Sequence, residues 1–295
     1  MRLTTKKILF ISVSILSIGI GCLFQYNKHP LVSVIIPTYN RAYLLPRAID
    51  SILNQSFQDF EIIIVNDGSQ DKTVALLKKY QKQSEKIKVY HHDKNKGVSA
   101  ARNTAPKHAK GKYAVLLDSD DFALPDMLKT EVEFMLNHPT FDLGIPKKTA
   151  FNFNNIEEFF EWHYDIHEFL EGNRLGNIGN IFKLDFIKKH NILYKEDQVC
   201  AEDYYFWIQM IQKGAKIIKI ESKEPIVAFR VHSDNNYQGN CYATTNYAKS
   251  ELLKTFNIPQ KMYNDKCFIY RKIIKKYPHL MKPEDIEKGS HFYCK

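Results

Sequence analysis

Apolar and polar residues alternate along residues 31–140 in a way that predicts strands separated by helices. Two prolines mark boundaries, because Pro37 is expected to end the first strand and Pro125 to open a helix. Four apolar runs have the length of buried strands: 32–36, 61–65, 87–90 and 113–117. Apolar residues at helical spacing follow the first run, over 44–53. This alternation predicts an α/β protein with a mostly parallel central sheet flanked by helices.

The second half of the chain is less regular. An aromatic-rich stretch at 156–170 has the spacing of an amphipathic helix, and another helix is predicted at 203–213 because Gly214 follows it. Apolar runs at 217–220 and 226–229 predict two later strands. These elements continue the α/β pattern beyond the first half of the chain.

The chain begins with an apolar segment in which residues 8–24 include seventeen consecutive uncharged residues. As a helix this segment would be about 26 Å long, slightly shorter than a hydrocarbon core of about 30 Å. A lipoprotein signal ending at Cys22 is disfavoured, because Gly19 stands where an aliphatic residue is needed. The bulky stretch Leu-Phe-Gln-Tyr does not provide a signal peptidase site. We therefore expect residues 1–30 to form an N-terminal transmembrane helix, with a cleaved signal sequence as the alternative.

The net charge of +9 is concentrated at the two ends of the chain. Residues 1–30 carry +4 and residues 245–295 carry +6, which leaves −1 on residues 31–244. A protein that binds nucleic acid needs a basic face on its folded body, so this distribution argues against nucleic acid and favours a membrane surface. The basic residues 236–295 are expected to form a helical C-terminal extension. Five scattered cysteines without a Cys-x-x-Cys pair indicate neither a disulfide scaffold nor a zinc site.

Polar residues follow three of the predicted strands, where an open parallel sheet binds its ligands. Tyr39 follows the first strand, Asp67 the second and the acidic cluster 118–121 the fourth. Carboxylates this close repel one another, so Asp118 and Asp120 could hold a hard divalent ion together with a phosphate. A solvated acidic turn explains the cluster equally well. The lone Asp67 is likewise compatible with ordinary turn chemistry, because Asp-Gly is a common turn pair.

Several motifs occur in order along roughly residues 31–235. They are VSVIIPTYNRAYLLPRAIDSILNQSFQDFEIIIVNDGSQDKT, NKGVSAARNTAPKHAKGKYAVLLDSDD, AEDYYFWIQMIQKGAKI and FRVH. Together they resemble the motifs of family 2 glycosyltransferases of the GT-A fold. The resemblance implies a Rossmann-like GT-A domain over residues 31–235.

The resemblance also implies a donor site. Pro37 and Tyr39 match the loop against which the nucleotide base packs, and an aromatic ring there would stack on the base. Asp67 matches the acid that accepts the imide N–H of the base, which favours uracil because a carboxylate only accepts. Arg102 matches a basic residue near the ribose and the diphosphate.

A metal site and a catalytic base are implied in the same way. Asp118 and Asp120 match the Asp-x-Asp element that holds Mn²⁺ or Mg²⁺ on the diphosphate, and Ser119 belongs with Asp118 to the nucleotide-sugar site. His232 matches a position that completes the metal shell in some relatives. Asp203 matches the general base that deprotonates the acceptor hydroxyl for in-line attack and inversion.

These roles imply an inverting, metal-dependent glycosyltransferase that moves a sugar from a nucleotide-diphosphate sugar, in the first place a UDP-sugar. The acceptor would be a hydroxyl of a glycan or of a lipid-linked glycan. A sugar-nucleotide pyrophosphorylase would carry a glycine- and arginine-rich loop after the first strand, where this chain has Pro-Thr-Tyr-Asn-Arg. A non-catalytic relative that binds nucleotide sugars or glycans would normally lose its acids, which this chain retains.

The side of the membrane stays open at this point. Basic residues ahead of the apolar segment favour a cytoplasmic N-terminus, which puts residues 31–295 in a Golgi-type lumen if the protein is eukaryotic or viral. A bacterial protein would instead keep the domain on the cytoplasmic face of the inner membrane. The reason is that a periplasm is not expected to contain nucleotide sugars.

Overall fold

A computed structural model describes the following residues of the chain: 29–146, 148–153, 156–161, 178–198, 201–231 and 253–254. The predicted membrane anchor and the C-terminal extension fall outside the described residues, apart from 29–30 and 253–254. In the described part, no helix is both long and apolar enough to cross a bilayer. The three predicted segments 1–30, 31–235 and 236–295 therefore stay predictions.

The described residues form two sheets and the helices around them. The strands are β1 (Val32–Thr38), β2 (Phe60–Asn66), β3 (Ile87–His91), β4 (Tyr113–Leu116), β5 (Phe122–Ala123), β6 (Leu143–Pro146), β7 (Lys148–Phe153), β8 (Ile156–Glu161), β9 (Ile181–Lys183), β10 (Ile217–Ile220) and β11 (Val227–Val231). The helices are α1 (Leu45–Leu53), α2 (Thr73–Gln83), α3 (Val98–His108), α4 (Met127–Asn137), α5 (Leu184–His190) and α6 (Glu202–Gln212).

The larger sheet has seven strands in the order β10-β6-β9-β4-β1-β2-β3. Its strand pairs are parallel except where β9 lies antiparallel to β4 and to β6. The smaller sheet has the order β5-β11-β7-β8, in which β11 runs parallel to β7 and antiparallel to β5. The predicted mostly parallel central sheet is confirmed, and the smaller sheet is an addition to it.

The central strands β1, β2 and β4 are buried along their whole length. Successive side chains of a strand point to opposite faces, so the apolar runs fill two cores. Ile35 and Ile63 pack in the core that contains Trp207 of α6. Val34 packs on the other face, in the core that contains Ile49 of α1. Helices therefore cover both faces of the sheet, which is why its central strands are mostly apolar.

Strand β1 is longer than predicted and continues through Pro37 to Thr38. The carbonyl of Thr38 accepts a hydrogen bond from the Asp67 N–H on the β2 side. The carbonyl of Ile35 accepts one from the Leu117 N–H on the β4 side. Because successive residues bond to opposite neighbours, Pro37 faces β4, beyond the last paired residues of β1 and β4. The prediction that proline ends the strand is wrong, because its missing N–H removes no ladder bond.

The helix predicted at 156–170 is wrong in its first part, where the chain forms β8. This strand pairs antiparallel with β7, and Phe153 lies opposite Ile156, so two residues connect the strands. Such short connections are typical of β-hairpins, and cross-strand pairing outweighs the helical spacing of the side chains. Residues 162–170 lie outside the described residues.

The other predicted elements form within a few residues of their expected positions. Helix α6 starts one residue before the predicted helix at 203–213. Gly214 follows it with a φ of 84°, the left-handed conformation that glycine adopts at a helix end. Strands β10 and β11 form where the two later strands were predicted.

Candidate functional site

Three strands end together at one edge of the larger sheet. Strands β4, β1 and β2 are adjacent and parallel, so the residues after Leu116, Thr38 and Asn66 emerge on the same edge. The chain order of the strands reverses between β1 and β4, and open α/β sheets bind ligands beside such a switch point. The polar residues that the sequence singled out after these strands therefore share one edge, as predicted.

A cleft of about 330 Å³ lies beyond the ends of β2 and β3. Tyr39, which is 38% exposed, contributes one wall, and segments 68–70 and 91–95 contribute others. The cleft is large enough for a nucleobase, and the Tyr39 ring is accessible for stacking. Pro37, which was predicted to share this wall, is instead buried in β1 and is not a lining residue of the cleft.

Hydrogen bonds between the ends of β1 and β2 fix the shape of this cleft. Asn40 has a left-handed φ of 51°, and its Oδ1 accepts the N–H groups of residues 70–71 at 2.8 and 3.4 Å. The Ser69 hydroxyl accepts the Asn40 N–H at 2.9 Å. A Cβ at Gly68 would lie 2.5 Å from the carbonyl carbon of Lys94, so only glycine allows the two loops to approach so closely.

Asp67 is 3% exposed, and its carboxylate binds groups of the protein itself. The Lys96 N–H donates to Oδ1 at 2.9 Å and to Oδ2 at 3.1 Å, and the Gly97 N–H donates to Oδ2 at 2.8 Å. His92 Nδ1 lies 2.6 Å from Oδ1. These contacts hold the chain at the start of α3, and an acid is favourable at that end of a helix. The geometry gives Asp67 a structural role, and its contact with a base stays a prediction.

Arg102 was predicted to lie near the ribose and the diphosphate, and its guanidinium forms two ion pairs inside the protein. Nη2 donates to Asp118 Oδ1 at 2.7 Å, and Nη1 donates to Glu202 Oε1 at 2.8 Å. Burial alone would lower the pKa of Arg102, but the charges of Asp118 and Glu202 help to raise it, so the guanidinium stays charged. Arg102 therefore joins the acidic turn after β4 to the start of α6.

Asn103, the next residue of the same motif, is also used inside the protein. Its Nδ2 donates to the carbonyl of Tyr194 at 2.9 Å and to Glu196 Oε1 at 3.0 Å. Its Oδ1 accepts the Tyr194 N–H at 2.8 Å. The Ala-Arg-Asn motif of α3 thus holds together segments that are about ninety residues apart in the sequence.

The acidic cluster forms a turn in which the Asp121 N–H donates to the carbonyl of Asp118 at 3.1 Å. Asp118 and Asp120 are partly exposed, and Ser119 is buried. Asp121 is fully buried: Oδ1 accepts the Arg230 N–H at 2.8 Å, and Oδ2 has no hydrogen-bond partner within the described residues. Burial raises the pKa of Asp121 well above its usual range, and the charges of Asp120 and Asp118 raise it further. A cation at this turn would relieve that repulsion.

Asp203 lies in the first turn of α6, where its Oδ1 accepts the Tyr204 N–H at 2.7 Å. The residue before the helix, Ala201, has a left-handed φ of 55°, which costs energy for an alanine. Glu202, one position further, is fixed by Arg102. Asp203 is partly exposed, so its side chain is accessible from solvent at the start of α6.

The structure also assigns contacts to two residues that sequence reasoning left without a role, Asp121 and Glu202. Asp121 belongs to the acidic cluster, and Glu202 is the first acid of the Glu-Asp pair, so their types were visible in the motifs. Their partners were not, because Arg230 is 109 residues from Asp121 and Arg102 is 100 residues from Glu202. No local sequence pattern predicts contacts between residues that are so far apart in the sequence.

The acids of the turn suit a cation that is shared with a phosphate. In the described part of the chain, no three acid, histidine or cysteine side chains converge into a metal-binding group. His232, the predicted additional ligand, lies outside the described residues. Mg²⁺ at phosphate sites is usually bound by one or two carboxylates together with phosphate oxygens. Asp118 and Asp120, whose charges act on the buried Asp121, fit a site of that type.

Comparisons of the sequence with known proteins agree on one family. The model of Glycosyl transferase family 2 matches residues 33–192. An uncharacterised glycosyltransferase of Methanocaldococcus jannaschii is 32% identical over 226 residues, which cover 70% of this chain and 73% of that protein. A putative teichuronic acid biosynthesis glycosyltransferase of Bacillus subtilis, TuaG, is 29% identical over 64% of this chain and 75% of its own length. The hyaluronan synthase of Pasteurella multocida is 39% identical over 71% of this chain and 21% of the synthase.

Solved structures resemble the chain in fold. TarS of S. aureus in complex with UDP has a TM-score of 0.60 and 18% identity, with 89% of this chain and 91% of that chain covered. The mannosyltransferase PcManGT from Pyrobaculum calidifontis, in complex with GDP-Man and Mn²⁺, has a TM-score of 0.56 and 19% identity, with 90% and 74% covered. This likeness agrees with the predicted GT-A architecture.

Proposed function

Since the chain belongs to glycosyltransferase family 2, we propose that it transfers a sugar, with inversion and with a divalent metal, from a UDP-sugar to a hydroxyl of a glycan or lipid-linked glycan. One observation carries the proposal: Arg102 bridges the acidic turn at Asp118 and the helix start at Glu202. The reaction needs a phosphate-binding group and an acceptor base within one site. The bridge brings the acidic turn close to Asp203, which supplies the base.

The proposed step is a single displacement at C1 of the donor sugar. The acceptor oxygen forms a bond to C1 while the bond from C1 to the diphosphate oxygen breaks, and UDP leaves with the electron pair of that bond. Asp203 takes the proton of the acceptor hydroxyl. Attack from the face opposite the diphosphate inverts the configuration at C1. The role of Asp203 is supported by its partial exposure at the start of α6.

Asp118 and Asp120 would hold Mn²⁺ or Mg²⁺, which supplies positive charge to the leaving diphosphate when it is bound. The partial exposure of Asp118 and Asp120, beside the buried Asp121, supports a site that favours a cation. The fold neighbour PcManGT was solved with Mn²⁺ and GDP-Man. Arg102 acts through Asp118, whose carboxylate it holds in one orientation.

A uridine donor is supported by the cleft beside Tyr39 and by the fold neighbour TarS, which was solved with UDP and with UDP-GlcNAc. Because PcManGT was solved with GDP-Man, guanosine donors belong in any test. The match to a glycosyltransferase family argues against the pyrophosphorylase alternative. A relative without turnover is the alternative that the test must separate.

The test is nucleotide release from a panel of UDP-, GDP- and dTDP-sugars by the purified full chain, with Mn²⁺ and with a chelator. We expect release from one UDP-sugar in Mn²⁺ and its loss in the chelator. An Asp120→Ala variant is expected to lose the response to Mn²⁺. Binding of UDP without release from any donor would instead favour the non-catalytic relative, and equal release with the chelator would contradict the metal.

We further propose that residues 1–30 anchor the chain in a membrane, on the basis of their apolar sequence and its basic start. The side on which the domain lies follows from where nucleotide sugars occur: a Golgi-type lumen in a eukaryotic or viral source, or the cytoplasmic face of the inner membrane in a bacterial one. Reporter fusions on each side of residues 8–24 test this. Recovery of the reporter fusions in the soluble fraction instead of the membrane fraction would contradict an anchor.

A further inference from the structure

Asn66 and His91 are paired residues at the ends of β2 and β3, and both line the cleft. The Asn66 amide is 2% exposed and has two contacts. The Ser69 N–H donates to its Oδ1 at 3.3 Å, and its Nδ2 lies 3.0 Å from His91 Nδ1. The amide cannot be reversed, because its NH₂ group would then face the N–H of Ser69, and both groups only donate.

The orientation of this amide decides the tautomer of His91. Because Nδ2 of Asn66 only donates, Nδ1 of His91 must accept. The neutral imidazole then carries its proton on Nε2. Nε2 is on the other side of the ring from Nδ1, and within the described residues it has no hydrogen-bond partner from the protein. His91 therefore offers a hydrogen-bond donor at the surface of the cleft.

The neighbouring histidine, His92, does not offer such a donor. His92 also lines the cleft, but both of its ring nitrogens have partners inside the protein. Its Nδ1 contacts Asp67 Oδ1 at 2.6 Å, and its Nε2 lies 2.9 Å from Thr104 Oγ1. Of the two histidines, His91 is the one whose ring can donate to a ligand.

We infer that His91 reads the nucleobase of the donor: its Nε2–H donates to a keto oxygen of a base that stacks on Tyr39. The inference rests on the proposed function, because it takes the cleft to be the site of the donor base. A keto oxygen accepts this hydrogen bond, whereas the exocyclic amino group of cytosine or adenine would leave two donors face to face. The site therefore selects uracil or guanine over cytosine or adenine.

The selection is built into the ends of three strands. Ser69 links Asn40, after β1, to Asn66, at the end of β2, and Asn66 in turn orients His91, at the end of β3. The Nε2–H group of His91 is thus held in position before a nucleotide binds, which reduces the conformational entropy that is lost on binding. The hydrogen bonds that fix the shape of the cleft therefore also orient the side chain that contacts the base.

The experiment measures the dissociation constants of UDP, CDP, GDP and ADP with the purified full chain in Mn²⁺, by calorimetry. His91→Asn keeps an acceptor for Asn66 and has no group that reaches the position of Nε2. His91→Gln is long enough to bring an N–H to that position. We expect the wild type to bind the keto member of at least one pair, UDP/CDP or GDP/ADP, about tenfold more tightly. The ratio of the two dissociation constants within that pair should fall to near one in His91→Asn and recover in His91→Gln.

The ratio is insensitive to a general loss of folded protein, because both nucleotides of a pair report on the same molecules. A His91→Asn chain that keeps the wild-type ratio overturns the inference and leaves the proposed function intact. A wild-type chain that binds keto and amino nucleotides equally well does the same. A wild-type chain that binds none of the four nucleotides overturns the proposed function and the inference together.

Discussion

Asp67 and Asp118 follow the two strands that flank β1, so both lie at the same edge of the larger sheet. The carboxylate of Asp67 accepts the N–H groups of Lys96 and Gly97 and contacts His92. Asp118 instead shares the guanidinium of Arg102 with a second acid, and it stands in a turn with two further acids. Asp67 is hydrogen-bonded to backbone N–H groups and contacts a histidine, whereas Asp118 belongs to a group of acids whose charges repel one another.

This difference separates two kinds of buried or half-buried acid. An acid that is surrounded by backbone donors stabilises the fold around it, because each bond satisfies a group that would otherwise be orphaned. A group of acids that is kept together despite repulsion is stable only with a cation or with protons. Burial raises the pKa of Asp121, the charges of Asp120 and Asp118 raise it further, and Arg230 offsets this only in part. The acidic turn is therefore the part of this edge that suits a charged ligand.

The largest expected effect is on catalysis. Asp203→Asn should lower the rate of sugar transfer about a thousandfold, because an amide cannot take the acceptor proton. Its Oδ1 can still accept the Tyr204 N–H, so the melting temperature should change little. Release of UDP and thermal unfolding of the same preparation check both statements. Turnover at the wild-type rate would remove the base role from Asp203 and leave the family assignment unaffected.

The next largest effect concerns the bridge between the acidic turn and α6. Arg102→Met should lower the free energy of unfolding by about 3 kcal/mol, because Asp118 and Glu202 lose the charge that they share. Arg102→Lys is the matched control: it keeps the charge but cannot reproduce the forked geometry, and an intermediate loss is expected. Urea unfolding measures both variants. A methionine variant as stable as the wild type would contradict the structural bridge.

A smaller loss is expected at the acid that has backbone donors. Asp67→Asn should lower the free energy of unfolding by about 1–2 kcal/mol, because one end of the amide would face the N–H of Lys96 or Gly97. Urea unfolding and UDP binding should be measured together. A variant that unfolds like the wild type but no longer binds UDP would assign Asp67 to the base and not to the start of α3.

The smallest effect tests whether the lack of a partner marks a functional acid. Glu131 on α4 is fully buried, and neither oxygen has a hydrogen-bond partner in the described part of the chain. Burial raises the pKa of Glu131 well above its usual range. The folded state therefore holds the proton more tightly, so stability is highest below the unfolded pKa of 4.5 and decreases as the pH rises towards the folded pKa.

Glu131→Leu should remove this loss and raise the free energy of unfolding at pH 7 by about 1 kcal/mol, with unchanged turnover. Urea unfolding of the wild type and the variant at pH 4.5 and pH 7 gives the difference at each pH. A difference that does not grow between the two pH values would contradict the buried, raised-pKa state of Glu131. A loss of turnover would show that a buried acid outside the acidic turn also takes part in function.

Patterns along the chain predicted the first four strands of the larger sheet closely. Strand β2, for example, was expected at 61–65 and forms at Phe60–Asn66. The smaller sheet was not predicted, because β7 pairs with β11 across nearly eighty residues, as in Thr149 opposite Val227. Local spacing carries no information about such a partner, and the same stretch of residues can satisfy a helical period or a strand pairing.

The candidate site divides in the same way. Tyr39, Asp67 and the acidic turn were predicted from their positions after strands, and they do share one edge. The contacts of Arg102 with two acids were not predicted, because an arginine at this position is equally compatible with a bound diphosphate. The donor at His91 was also missed, since it depends on how the buried amide of Asn66 is oriented.

The sequence by itself determined the fold class and the edge at which the acids gather, because both follow from spacing along the chain. Only the tertiary structure decided what each acid does there. Asp67 meets the N–H groups of Lys96 and Gly97, whereas Asp118 meets Arg102. The state of a carboxylate depends on the donors, charges and solvent around it, and these come from segments that are distant in the sequence. Identical residues at one sheet edge therefore have different roles.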